Sequence, residues 1–135
     1  SKLNKYSRIV LKFSLMMVSR AVDSQPLLKE EFLKDNARFE RLFVTGLMSS
    51  KPELRNIYIE AVAQMFVHFT RQPDLFSMFF SIVYINFEKC NKKDLSPEYF
   101  SLFSGALEEA RTNNLLQQLG GHNILDTVVK VFQEH

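Results

Sequence analysis

Apolar residues along this chain recur at three- and four-residue steps, and proline, asparagine and short polar turns punctuate them. The first such run spans about Lys5 to Val22, where Ile9, Val10, Phe13, Met16 and Met17 share helical spacing. Asp23-Ser24-Gln25-Pro26 reads as a stop and a restart, with Ser24 as N-cap and Pro26 in a first turn. A short helix follows to about Lys34, carrying Leu27, Leu28, Phe32 and Leu33 inward. Asp35 or Asn36 is placed to cap the next helix, which runs to about Met48 with Phe39, Leu42, Phe43, Gly46 and Leu47 as its stripe. Gly46 costs helix stability; close approach of a neighbouring helix is the compensating gain to expect, and a merely tolerated glycine is the alternative.

After the connector Ser49-Ser50-Lys51-Pro52 comes the most regular pattern. Leu54, Ile57, Tyr58, Ala61, Val62, Met65, Phe66 and Phe69 keep one stripe over four turns, and Ser50 is positioned to cap it. Arg71-Gln72-Pro73 ends that run. From Asp74 to Cys90 the apolar residues surround most of the helical cylinder, which predicts a helix buried on several sides at the centre of the domain. A strand over Ile82 to Phe87 would need alternation that the run lacks. Ser96-Pro97-Glu98 combines a capping residue, a proline and a first-turn acid, and opens a helix burying Tyr99, Phe100, Phe103, Ala106, Leu107 and Ala110. Leu115 to Leu119 is a short turn ended by Gly120-Gly121. A last helix, capped by Asn123, carries Ile124, Leu125, Val128, Val129 and Phe132 inward.

The pattern predicts an all-α fold of about six to eight helices, one domain over residues 1–135, behaving as a soluble piece of a longer chain. Composition sharpens this: thirteen Phe and no Trp predict a bulky core with few polar atoms to satisfy, and only four Gly and four Pro suit long helices. No apolar stretch approaches the ~18 residues of a membrane span. The single cysteine, Cys90, excludes an intrachain disulfide and fits an intracellular setting, cytoplasmic or nuclear.

The four prolines lie at 26, 52, 73 and 97, each near a helix start, so two helices make a unit of about 45–50 residues, close to the period of armadillo and HEAT arrays. The segment from Asn36 through Met65 resembles a hairpin of those families: a helix, a short polar turn, then proline or acid, an aliphatic residue, arginine and small or aliphatic core positions. Pro52, Glu53, Leu54, Arg55, Ala61, Val62 and Met65 match that order. The resemblance implies stacked antiparallel hairpins in an α-α superhelix and a protein-interaction scaffold. The Phe-rich run from Asp74 departs from the family pattern and implies an irregular stack. Phe32 through Met65 also resembles helical segments of large ubiquitin-specific proteases, which implies a non-catalytic region of a deubiquitinating enzyme as the alternative.

Net charge is +2, but its distribution is uneven. Lys2, Lys5, Arg8, Lys12 and Arg20 all precede the first acid, Asp23, so the opening segment carries +5 and the remainder −3. Lys2, Lys5, Arg8 and Lys12 fall on one helical face and form the candidate partner-binding site. A solvated face, an acidic protein segment and a membrane surface are the readings open to it. The patch is short and lacks interleaved aromatics, which argues against nucleic acid. No catalytic constellation is expected. Gly120-Gly121 lacks the lysine and serine of a phosphate loop, and His68, His122 and His135 with one Cys make no metal-ligand spacing. Adjacent pairs Glu30-Glu31 and Glu108-Glu109 point about 100° apart on a helix. Cys90 as nucleophile with His122 as base has no supporting motif. No cofactor is expected.

Overall fold

The computed structural model describes residues 5–34 and 36–119. Within them lie six α-helices: α1 (Lys5–Ser24), α2 (Pro26–Lys34), α3 (Asn36–Leu47), α4 (Pro52–His68), α5 (Pro73–Lys89) and α6 (Pro97–Thr112). Single 3-10 turns occupy Phe69–Arg71, Lys92–Asp94 and Leu116–Leu119, and no strand occurs among the described residues. The fold is all-α. Lys2, Asp35, Gly120-Gly121, His122 and the helix expected beyond Asn123 lie outside the described residues, as do the side chains of Leu28, Phe32, Asn36, Phe39 and Leu42.

Pairing among the helices alternates. α1 packs on α4 and α4 on α6, whereas α3 packs on α5; α3–α4 and α5–α6 are sequential pairs. With α2 as a short link between α1 and α3, each long helix lies against the one two places on. That is how a two-layer stack is built: α1, α4 and α6 in one layer, α3 and α5 in the other.

Proline opens every helix from α4 onward, where its missing N–H is no loss. The caps divide. Ser96 is extended and its Oγ accepts the Tyr99 N–H at 3.2 Å. Ser50 does not cap α4: the cap position is Lys51, whose side chain makes no cap hydrogen bond. The turn is instead held by Ser49, whose Oγ accepts the Lys51 N–H and whose carbonyl accepts from the Arg55 guanidinium at 3.3 Å. Ser24 falls within α1 and not at the cap position of α2. It ends α1 and donates back to the Ala21 carbonyl. α6 closes with Asn114 in the left-handed region (φ 59°), while Leu115 N–H reaches the Ala110 carbonyl and Asn114 N–H that of Arg111. This is the paired-bond helix stop in which asparagine substitutes for glycine.

α5 is the interior element. Leu75, Phe76, Met78, Phe79, Phe80, Ile82, Val83, Tyr84 and Phe87 are buried, covering most of its circumference. Its rings reach three neighbours. Phe76 meets Phe66 of α4 edge-on at 5.2 Å, and Phe79 meets Phe43 of α3 edge-on at 5.3 Å. Phe87 stacks on Phe103 of α6 at 4.6 Å. Each such ring pair contributes about 0.5–1.5 kcal/mol beyond burial. One polar thread crosses this core: the Tyr99 hydroxyl donates to the Val83 carbonyl at 2.8 Å and accepts from Asn86 Nδ2 at 3.0 Å. Burial pushes the Tyr99 phenol well above its ordinary value, against the lowering effect of the Asn86 bond.

α4 departs from the expected single stripe. Ile59, off that stripe, is buried together with Ile57, Ala61, Val62, Met65 and Phe66, because α1, α3 and α6 cover different sides of the helix. Gly46 of α3 faces Tyr58 of α4 so closely that any Cβ would overlap the Tyr58 ring at Cγ, Cδ1 and Cδ2, and this is the close approach expected of that glycine.

Candidate functional site

The basic stripe lies on α1, and α1 has two apolar faces. Leu15 and Val22 are buried and Leu11 is half-buried, and this row faces the core. The row expected to face inward largely points the other way. Ile9 is 56% exposed, Val10 63%, Phe13 64% and Met17 48%; Met16 of that row is half-buried. At 100° per residue the two rows lie on opposite sides of the cylinder. The helix has nearly enough apolar residues for both faces, and the larger ones went outward. The spacing of Leu11, Leu15 and Val22 was the available signal for the inward face.

Between these faces runs the cationic edge. Lys5, Arg8 and Lys12 line a cleft of about 310 Å³ between α1 and α4, together with Ile9, Ile57 and Glu60. The structure thus brings together three of the four expected site residues; Lys2 lies outside the described ones. Lys12 is half-buried, and its Nζ sits 3.2 Å from Glu60 Oε2, so part of its charge is already spent on holding α1 against α4. Lys5 and Arg8 are exposed, and no acid among the described residues pairs with them. Farther along the same seam, Arg20 lines a second depression of about 170 Å³ with Met16, Gln64, Met65, Val67 and His68. Arg20 and Val67, which is 57% exposed, were not singled out by the sequence pattern as site residues.

α2 is anchored from the other side. Lys29 Nζ lies 2.8 Å from Asp74 Oδ2, bridging α2 and the first turn of α5. Burial alone would raise the Asp74 carboxyl. The Lys29 ammonium and the Leu75 N–H outweigh it and hold the carboxyl below its ordinary value.

Cys90 is half-buried at the end of α5, where its Sγ donates to Asn86 Oδ1 at 3.4 Å. It therefore extends the Asn86–Tyr99 thread. His68 is exposed and lies against the Phe69 ring. No group of three metal-ligating side chains forms among the described residues, and no helix among them is long and apolar enough to cross a membrane.

The chain matches no protein-family model, no curated protein and no solved structure.

Proposed function

We propose that this chain is a non-catalytic protein-interaction module, an irregular armadillo- or HEAT-like helical stack of an intracellular scaffold protein, which holds an acidic protein partner along α1. The observation that carries this reading is the outer side of α1, where exposed Lys5 flanks the exposed row of Ile9, Val10, Phe13 and Met17 and exposed Arg8 continues the charge into the α1–α4 cleft. Four large apolar side chains on one exposed helix face form a contiguous patch of the kind that marks interaction sites. The alternating helix pairing and the Arg55 latch on the turn before α4 support the helical-repeat part of the reading.

The test is affinity capture with the wild-type chain and with a Lys5→Glu, Arg8→Glu, Lys12→Glu variant, the bound proteins being identified and then titrated in pure form. An acidic partner lost on charge reversal, with affinity falling as salt rises, is the expected result, since exposed charges are screened over ~8 Å at physiological ionic strength. Identical partners and affinities would remove the stripe as a binding site. Turnover of a ubiquitin-linked or thiol-reactive substrate that disappears in Cys90→Ser would overturn the non-catalytic reading.

A further inference from the structure

The outer face of α1 has a shape as well as a charge. Val10, Phe13 and Met17 follow one another at three- and four-residue steps, the seam on which a second helix lying nearly along the first packs its own side chains. Ile9 widens the seam on the side of the α1–α4 cleft. Two cations meet that side: Lys5 flanks Ile9 at one end, and Arg20 falls between the lines of Ile9 and Phe13 at the other, while Arg8 turns further into the α1–α4 cleft. Along the opposite border lie Ser14 and Ala21, both small and uncharged. Lys5 and Arg20 are fifteen positions apart, a rise of about 22 Å.

We infer that the occupant of this face is an amphipathic helix of an acidic partner, about four turns long, with its carboxylates along one edge of its apolar stripe. The inference rests on the protein-interaction reading above and specifies the partner's form. The apolar stripe covers Val10, Phe13 and Met17. Carboxylates on the edge facing α4 reach Lys5 at one end and Arg20 at the other, with Arg8 adding positive potential from the α1–α4 cleft. The uncharged opposite edge leaves room for the partner's backbone to come close. A flat anionic membrane would be met best by cations on both borders of the apolar strip, whereas here they lie on one. A second copy of α1 laid antiparallel would bring cations against cations, and one laid parallel would leave them facing the uncharged edge.

The probe is a synthetic, fluorescently labelled helical peptide of about eighteen residues, with Leu at heptad-spaced positions and Glu along one edge only. Its binding to the full chain is followed by anisotropy. Control arms are the same peptide with Glu replaced by Gln, anionic phosphatidylserine vesicles, and sedimentation of the chain alone. Saturable binding is expected, weakened about tenfold or more by Phe13→Ser, by Val10→Ser, and by Lys5→Glu with Arg8→Glu, and weakened similarly in the Gln peptide. These side chains are exposed, so the variants should keep the wild-type melting temperature, which is checked alongside.

Binding that ignores Phe13→Ser and Val10→Ser while still failing on charge reversal would overturn the helix-on-helix inference and leave the acidic-partner reading intact. Binding to vesicles but not to the peptide would overturn both. So would self-association through this face with no peptide binding.

Discussion

Replacing Gly46 with alanine is the sharpest test of the packing between α3 and α4. In an exposed helix the change stabilises by about 1 kcal/mol, because glycine loses more backbone freedom on folding. Here the new methyl would overlap the Tyr58 ring at Cγ, Cδ1 and Cδ2, the root of the ring and not its mobile tip. Tyr58 is half-buried and packs against the core, so it has to swing out or push α4 away. Overpacking of this kind costs about 1–3 kcal/mol. Set against the propensity gain, Gly46→Ala should destabilise by up to about 2 kcal/mol. In a Tyr58→Ala background the obstruction is gone, and the same Gly46→Ala change should stabilise by about 0.5–1 kcal/mol. Urea unfolding of the four proteins, followed by helical circular dichroism, gives both numbers and their coupling. An effect of the same sign and size in both backgrounds would refute the close approach.

Phe79→Ala should cost about 3–5 kcal/mol in the same assay, since Phe79 is buried between Phe43 and Phe69; a neutral result would refute the central place of α5. Ser96→Ala should destabilise by about 1 kcal/mol while Ser50→Ala changes little, and equal losses would contradict the assigned caps. The Asp74 carboxyl sits below its ordinary value of 3.8 when folded, so the Lys29 pair stabilises above that pH and is lost as pH falls through the depressed value. Because both side chains keep solvent contact the pair is worth about 1 kcal/mol or less. The stability gap between wild type and Asp74→Asn should be level near neutrality and close in acid, and a gap independent of pH would refute the pairing.

The helices were legible because their periodicity and punctuation agree. Pro52, Pro73 and Pro97 each open the helix expected of them, and the all-round apolar character of Asp74 to Cys90 placed α5 inside. The turns were less legible. A serine two residues before Pro52 has the right identity for a cap, yet Arg55 and Ser49 take over that turn through contacts that no local pattern encodes. On α1 the sequence carries two competing apolar rows, and hydrophobicity alone does not rank them. Neighbours decide, and α4 takes the row of Leu11, Leu15 and Val22. The cationic edge was readable as a stripe, but the diversion of Lys12 to Glu60 depends on a residue 48 positions away. Arg20 was counted in the basic opening segment but not in the stripe, because its companions Gln64 and Val67 belong to α4.

The encirclement of α5 bears on how the chain is made. Synthesis delivers α3 and α4 before α5 exists, so Phe43, Phe66 and Phe69 leave the ribosome ahead of Phe76 and Phe79, the α5 rings they pack on. α5 itself then waits for Phe103 of α6 before Phe80 and Phe87 are covered. α1, α3 and α4 can pack on one another first, but their rings that face α5 stay bare until α5 emerges, and those of α5 that face α6 until α6 follows. A truncation ending between Pro73 and Thr112 would freeze that state, which makes a nascent chain of this length the one a chaperone should hold most tightly.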